Sequence, residues 1–279
     1  MNSSTQTLLD ELLQDRSLRD PDQLRRRIDA LEQLESWFFN RGEVLTPSLR
    51  QRGEALTAEL EAINDRLYRD IRAAIRQGRG ADSLRTWRAC LHDDADRENY
   101  GPLDTLIAGV LDFKAPAEVP EPGDEMVFYQ PTPAREIFDF IELASITPQD
   151  VVMDLGAGLG HVTLLTAICT GARCIGIELQ QAYVASARQC ADALRIRHAA
   201  FIAQDVRLAD LSEGTVFYLY TPFTGGILRK VLDVLKHEAE GRAIRVCSLG
   251  PCTAIVAQEP WLKADGTCDV HRIALFRSH

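Results

Sequence analysis

Apolar residues in the first third of the chain recur at helical spacing, and no strand-like run occurs between Leu8 and Leu111. Helix-capping residues, first-turn prolines and helix-ending glycines predict amphipathic helices at about 21–39, 47–77, 83–91 and 103–111. The apolar face of the longest helix carries Leu49, Leu56, Leu60, Ile63, Leu67, Ile71 and Ala74. The pattern predicts an all-α helical bundle domain over residues 1–113. We expect it to serve as a lid, a recognition domain or a homodimer interface.

From residue 126 the pattern changes to short, continuous apolar runs that alternate with helical stretches. Strands are predicted at 151–155, 173–177, 198–203, 215–220, 243–249, 253–258 and 270–277, and helices at 161–170, 180–194 and 227–240. The alternation predicts an α/β domain over residues 126–279. Its Rossmann-like sheet should have seven mostly parallel strands, helices on both faces and an antiparallel last pair. Prolines mark residues 114–125 as a Pro-rich linker between the domains.

The turn after the first predicted strand carries the clearest candidate site. One acid, Asp154, ends the first strand, and another, Glu178, ends the second. Between them lies a G-x-G-x-G turn formed by Gly156, Gly158 and Gly160. Ligands of parallel sheets bind at the carboxyl ends of the strands, where glycines admit close approach and a helix amino end offers free N–H groups. Glu178 could accept hydrogen bonds from both hydroxyls of a ribose.

Two details of this turn separate the nucleotides that could bind. Dinucleotide sites use G-x-G-x-x-G, and the spacing here is different. Asp154 would repel a pyrophosphate, whereas it would attract the cationic amino-acid end of S-adenosylmethionine (SAM). The residues therefore favour SAM as cofactor. The alternative is a glycine-rich turn in an ordinary nucleotide-binding or unliganded α/β domain.

The segment DLGAGLG followed by IGIE resembles the first two motifs of class I SAM-dependent methyltransferases. The resemblance implies a methyltransferase in which SAM is bound between these motifs. In that class an acid at the end of the third strand bonds the adenine amino group, and the next residue packs on the ring. Asp205 and Val206 stand at that position, and Leu179 follows Glu178 as a further expected cofactor contact.

The loop before the first strand carries a closer resemblance. A Tyr-x-x-Thr-Pro sequence, then a helix, then DLG-x-G-x-G is similar to the non-SET histone-lysine methyltransferases of the telomeric-silencing type, over about 126–248. The resemblance implies that Tyr129 and Thr132 contact the methionine part of SAM and that His161 lies near its carboxylate. A helix amino terminus lowers the pKa of a histidine, so we expect a neutral, hydrogen-bonding His161. The alternative is that Tyr129 only packs and Thr132 only caps the helix.

A loop follows the fourth strand at the position of the substrate-facing loop of class I methyltransferases. It contains Thr221, Pro222 and Phe223. With Tyr129 they are our candidate catalytic residues. A carbonyl held by Pro222 could align the acceptor, and Phe223 could stack on it. Amino-methylating families often carry an asparagine or aspartate first in this loop, where Thr221 stands. We therefore do not transfer the histone substrate of the resembled family to this chain. His271 is the one histidine considered as a base for oxygen methylation.

Composition narrows the remaining choices. A formal net charge of −10 over 279 residues disfavours nucleic acid as partner. No run approaches a membrane span or a secretory signal, and seven scattered cysteines suit a reducing compartment, so we expect a cytoplasmic protein. Cys247 and Cys252 lack the spacing of a metal pair, and no metal is assigned.

Two other functions stay open beside a methyltransferase that acts on a protein side-chain amine or a small molecule. One is an RNA or DNA methyltransferase that uses a basic stripe of Arg66, Arg69, Arg72, Arg76 and Arg79 at helical spacing. The other is a SAM-binding module without turnover.

Overall fold

The computed structural model describes residues 3–41, 45–91, 100–114, 116, 121 and 123–279. The chain forms two compact units, Met1–Ala73 and Ala74–His279. The first unit contains the helices α1 (Ser3–Gln14), α2 (Leu24–Arg41) and most of α3 (Pro47–Arg76). Its core is made by Leu9, Leu18, Ala30, Leu34, Trp37, Leu56 and Leu60. This unit is all-helical, as the periodicity predicted.

The second unit contains a seven-stranded sheet. Its elements are α4 (Gly80–Leu91), α5 (Pro102–Leu111), α6 (Ala134–Leu143), β1 (Val151–Leu155), α7 (His161–Thr170), β2 (Arg173–Glu178), α8 (Gln181–Leu194), β3 (Ala199–Ala203), β4 (Val216–Tyr220), α9 (Gly225–Gly241), β5 (Arg245–Leu249), α10 (Cys252–Val256), β6 (Leu262–Ala264) and β7 (Ala274–Ser278). The strand order is β3-β2-β1-β4-β5-β7-β6.

The strands from β3 to β5 are parallel to one another, and β7 runs antiparallel to both β5 and β6. This confirms the predicted Rossmann-like, mostly parallel sheet. Alternate residues of the central strands face α9, so Met153 and Leu155 share a core with Leu228 and Leu232. The chain leaves β1 toward β2 on one side and returns beside it as β4, which creates a crevice at the carboxyl ends of these strands.

Helices α4 and α5 pack with the sheet-containing unit, against α7 and α6. Arg88 of α4 donates to Asp139 at 2.9 Å and to Glu142, both on α6, and its guanidinium lies 5.2 Å from the ring centroid of Phe138. The compact units therefore divide after residue 73, whereas we expected a boundary at 113. Much of the expected linker, residues 115, 117–120 and 122, lies outside the described residues.

The prediction of a strand at 253–258 is wrong. Cys252 begins the short helix α10, and β6 lies further along the chain. The amide of Cys252 donates to the hydroxyl of Thr221 at 3.1 Å, and the hydroxyls of Thr253 and Ser248 lie 2.9 Å apart. These two contacts hold the first turn of a helix in a sequence whose β-branched residues favour a strand.

Candidate active site

A cavity of about 570 Å³ opens at the carboxyl ends of β1, β2 and β4. Most of the residues singled out in the sequence line it: Tyr129, Thr132, Asp154, Gly156, His161, Glu178, Leu179, Asp205, Val206, Thr221, Pro222 and Phe223. Gly158 and Gly160 lie in the turn beneath it, and Gly160 immediately precedes α7. The fold therefore brings the candidate residues together in one place.

Glu178 ties the end of β2 to the glycine turn. Its Oε2 accepts a hydrogen bond from the Gly158 amide at 2.9 Å, and its Oε1 accepts one from the Gln180 amide at 2.8 Å. A carboxylate has about four acceptor positions, so each oxygen can accept one further bond from a ligand. The two backbone bonds fix the direction in which those positions point.

Asp154 is the most buried acid of the site, with 3% of its surface exposed. Its Oδ2 accepts a hydrogen bond from the Thr163 hydroxyl at 2.9 Å. Burial, and to a lesser extent the charge of Glu178, raises the pKa of Asp154 to about 7. Among the described residues no cationic side chain forms an ion pair with it. A cationic ligand would restore the ionised form of this carboxyl group.

Tyr129 lies directly on the glycine turn. Gly158 has φ of 53°, and a Cβ atom at this position would lie 2.0 Å from Cε2 of Tyr129. At Gly156, the preceding glycine of the turn, a Cβ atom would lie 2.2 Å from the Cβ of Pro222. The turn is therefore covered by one residue from the loop before α6 and one from the loop after β4. Only glycine allows both contacts.

Tyr129 also forms a polar pair with His161. The Oη of Tyr129 lies 3.0 Å from Nδ1 of His161. Burial lowers the pKa of His161 to about 4 and raises the pKa of Tyr129 well above its ordinary value. Both groups are therefore neutral at pH 7, and the phenol donates to the imidazole. His161 has the neutral form that we expected, although burial rather than the helix terminus lowers its pKa.

Thr132 is not the cap of the helix that follows it. Its hydroxyl lies 3.2 Å from Oη of Tyr218, a fully buried phenol on β4. The first amide of α6, that of Ala134, instead donates to Oδ1 of Asp104 at 2.7 Å. The Thr132 side chain is thereby directed toward the centre of the sheet, on the side of the cavity.

Asp205 is paired with a neighbouring cation. The Nε of Arg207 donates to both carboxylate oxygens at 3.0 and 3.1 Å, and its Nη2 donates to Oδ2 at 2.5 Å. These bonds hold the pKa of Asp205 below its ordinary value. Asp205 lines the cavity as expected, and an adenine amino group would share its carboxylate with Arg207. Val206 is half-buried and Leu179 is 47% exposed, and both line the cavity.

The loop after β4, residues 221–224, is named the acceptor loop here. The hydroxyl of Thr221 donates to the Leu249 carbonyl at 3.0 Å and accepts from Cys252. The carbonyl of Pro222 accepts a hydrogen bond from the Val127 amide at 3.3 Å. The ring of Phe223 is 5% exposed and belongs to the core. The polar groups expected to align an acceptor are therefore engaged within the protein.

Several residues that line the cavity were not predicted. Phe128 is 75% exposed, which is unusual for a phenylalanine, and Tyr220 and Gln130 line the same end. Tyr218 and Tyr220 share a face of β4 because they are two residues apart. A continuous apolar run such as β4 predicts burial, and it does not show which of its residues reach a cavity.

The remaining candidates are not among the residues that line the cavity. His271 is exposed and is not among the residues that line the cavity. In the basic stripe, Arg66 and Arg69 are exposed, and Arg76 donates to the Ala193 carbonyl at 2.9 Å. Within the described part of the chain, no helix is both long and apolar enough to cross a bilayer, and no cluster of three or more His, Cys, Asp or Glu could hold a metal.

Comparison with protein families gives one match. Residues 126–213 match the family model described as histone methylation protein DOT1. This segment runs from the loop that carries Tyr129 through the end of the third strand. The match confirms the resemblance to the non-SET lysine methyltransferases over less than a third of the chain. No match was found among curated proteins.

Solved structures with similar folds include several methyltransferases. An RNA methyltransferase from Salinibacter ruber in complex with S-adenosyl-L-homocysteine is 29% identical, with 53% of this chain and 92% of that chain covered and a TM-score of 0.44. A precorrin-6y C5,15-methyltransferase from Geobacter metallireducens is 13% identical, with 56% and 93% covered and a TM-score of 0.44. A Pyrococcus abyssi tRNA (uracil-54, C5)-methyltransferase in complex with S-adenosyl-L-homocysteine is 16% identical, with 54% and 39% covered and a TM-score of 0.42.

Proposed function

We propose that this protein is a SAM-dependent methyltransferase. The observation that carries the proposal is the buried carboxyl group of Asp154, which has no cationic partner among the described residues and lines the same cavity as the fixed carboxylate of Glu178. An acid without a cationic partner fits the α-amino group of SAM, and the two open acceptor positions of Glu178 fit ribose hydroxyls. The DOT1 match over these residues supports the same assignment.

Some site residues would bind SAM, and others would orient it. SAM, when bound, supplies a methyl carbon that is already activated by a sulfonium. Asp154 and Glu178 would hold the amino and ribose groups, while Asp205, Val206 and Leu179 would form the adenine end. Tyr129, which lies on the glycine turn, and Thr132, which lines the same cavity, would set the position of the methionine part.

The acceptor would enter on the side of Phe128 and Tyr220. Phe223 is buried in the core, so Phe128 is the better candidate for stacking on the acceptor. His161 with a pKa of about 4 is a weak base, and the Tyr129 phenol stays protonated. The acceptor would therefore react as a neutral nucleophile, and its proton would leave to water. A neutral side-chain amine of a protein or a small molecule meets this requirement.

Calorimetry with SAM and S-adenosylhomocysteine (SAH) tests the cofactor assignment. Both should bind, and Asp154→Asn should weaken them while leaving the fold intact. A labelled-methyl screen of lysate separated into protein, RNA and metabolite fractions then identifies the acceptor class. Absence of SAM and SAH binding, or preferential binding of NAD, would refute the proposal. Label in the RNA fraction alone would replace the acceptor with nucleic acid.

A further inference from the structure

The side chain of Glu125, which directly precedes the cavity-lining residue Met126, caps helix α9, whose residue Ile227 also lines the cavity. Helix α9 follows Thr224, whose own side chain makes no capping bond, although the first amides of a helix need acceptors. The amides of Gly226 and Ile227 donate to Oε1 and Oε2 of Glu125 at 2.8 and 3.1 Å. These two bonds hold the pKa of Glu125 below its ordinary value, and the bond from Gly226 has the larger effect. The cap is therefore ionised at neutral pH.

Backbone contacts beside the cap join the same two segments. The amide of Thr224 donates to the Glu125 carbonyl at 2.7 Å, and Met126 pairs with Phe223 in an antiparallel bridge. The bond from Val127 to the acceptor loop, described above, continues this pairing. Residues 125–132, named the strap here, are therefore attached to the acceptor loop at their first three residues.

Gly225 makes room for the carboxylate. It has φ of 54°, and a Cβ atom at this position would lie 2.1 Å from Oε1 of Glu125. A side chain here would meet both the left-handed backbone and the capping group. The sequence thus provides a matching pair: an acid in the strap and a glycine at the start of α9.

The strap and the acceptor loop both line the cavity. In the strap, Tyr129 covers the glycine turn and Phe128 lies at the open end. In the acceptor loop, Thr221 has φ of 36°, which is rare for a β-branched residue and requires neighbouring contacts to maintain it. A constraint that joins these segments fixes the distance between the two walls.

We propose that Glu125 is a positioning residue for methyl transfer: it holds the strap against the acceptor loop and so fixes the two walls between which cofactor and acceptor meet. The positioning role rests on the proposed function, whereas the attachment itself does not. Glu125 is exposed, so its removal should open the walls locally without unfolding the sheet.

Hydrogen exchange on the ligand-free protein tests the attachment. In Glu125→Ala, amides of residues 126–132 and 221–227 should exchange at least about threefold faster, while those of β1 and β2 stay unchanged. Glu125→Gln keeps an acceptor oxygen and should give an intermediate rate. Asp124→Asn removes a neighbouring exposed acid and should match the unaltered protein. Equal exchange in Glu125→Ala and Asp124→Asn would overturn the proposal.

The rate of SAH dissociation tests the positioning role. SAH should leave Glu125→Ala about tenfold faster, with partial rescue in Glu125→Gln and no effect in Asp124→Asn. Faster exchange with an unchanged SAH dissociation rate would make the cap merely structural and overturn the positioning role. If the unaltered protein does not bind SAH, the proposed function and the positioning role both fall. The exchange comparison then still decides whether Glu125 joins the walls.

Discussion

The amide of Gly158 donates a hydrogen bond of 2.9 Å to the carboxylate of Glu178. This bond connects the turn after β1 to the end of β2, so one side chain both shapes the glycine turn and faces the cavity. Loss of the carboxylate should therefore affect ligand binding in two ways, through the missing contact and through the loosened turn.

Glu178→Gln should weaken SAM binding by about 1–3 kcal/mol, because charged hydrogen bonds to the ligand are lost. Calorimetry measures the change. Glu213→Gln is a matched control, since Glu213 forms an exposed ion pair with Arg173 at the start of β2. Equal affinity in both variants would remove Glu178 from the cofactor site.

The affinity for SAH should rise with pH below neutrality. Asp154 has a pKa of about 7, and only its ionised form attracts the cationic amino group of the ligand. Binding at about pH 6 should thus be roughly tenfold weaker than the limit reached once Asp154 is ionised. His161, with a pKa of about 4, does not change charge in this range. Calorimetry between about pH 5.5 and pH 7.5 measures the slope.

The stability of the ligand-free protein should depend on pH in the direction opposite to that of SAH affinity. The folded form retains the Asp154 proton up to pH about 7, whereas the unfolded chain releases it near 3.8. The free energy of unfolding should therefore fall as the pH rises from about 4 to about 7. Asp154→Asn should flatten both dependences. A slope of SAH affinity that persists in this variant would assign the titration to another group.

Gly158→Ala should displace Tyr129 from the glycine turn, because the added Cβ would lie 2.0 Å from its ring. We expect a loss of SAM affinity together with a lower melting temperature. Gly171→Ala is the matched control: φ is 72°, and among the described residues no atom beyond its immediate chain neighbours comes within 4 Å of the added Cβ. It should destabilise the fold by about 1 kcal/mol through backbone strain and leave SAM binding unchanged. Equal effects of both variants on binding would show that Tyr129 has no role there.

Thr221→Val should destabilise the protein by about 1–3 kcal/mol, since the Leu249 carbonyl and the Cys252 amide would lose a buried partner. Chemical denaturation measures the loss. SAM affinity should change little, because the carboxylates that hold the ligand lie on other strands. Unchanged stability with lost turnover would instead place the hydroxyl at the acceptor.

Phe128→Ala should lower turnover without lowering stability, because Phe128 is 75% exposed at the open end of the cavity. Phe223→Ala should instead destabilise the fold by about 3–5 kcal/mol, because its ring is buried in the core. Melting curves and a methyl-transfer assay separate the two variants. Lost turnover in Phe223→Ala with an unchanged melting temperature would restore Phe223 as the stacking residue.

Local sequence signals predicted the elements that surround the cofactor crevice. The bounds of β1 and α7 agree with the expected 151–155 and 161–170, because an apolar run, glycine breaks and a helical pattern all lie within that stretch. The position of Asp154 and Glu178 at one edge of the sheet followed from parallel topology alone.

Contacts between distant segments could not be predicted in the same way. The hydroxyl of Thr221 is bound by β5 and α10, and the ring of Phe223 packs in the core, although both residues line the cavity. The partner of Glu125 lies 101 residues away. Periodicity describes which face of an element is buried, but it carries no information about which distant polar group meets another.

The ion pairs from Arg88 to α6, and the bond from Asp104 to Ala134, make α4 and α5 part of the sheet-containing unit. A gene fusion or domain exchange that joined at residue 113 would separate Arg88 and Asp104 from their partners on α6. The compact unit that such a transfer would have to keep intact starts at Ala74.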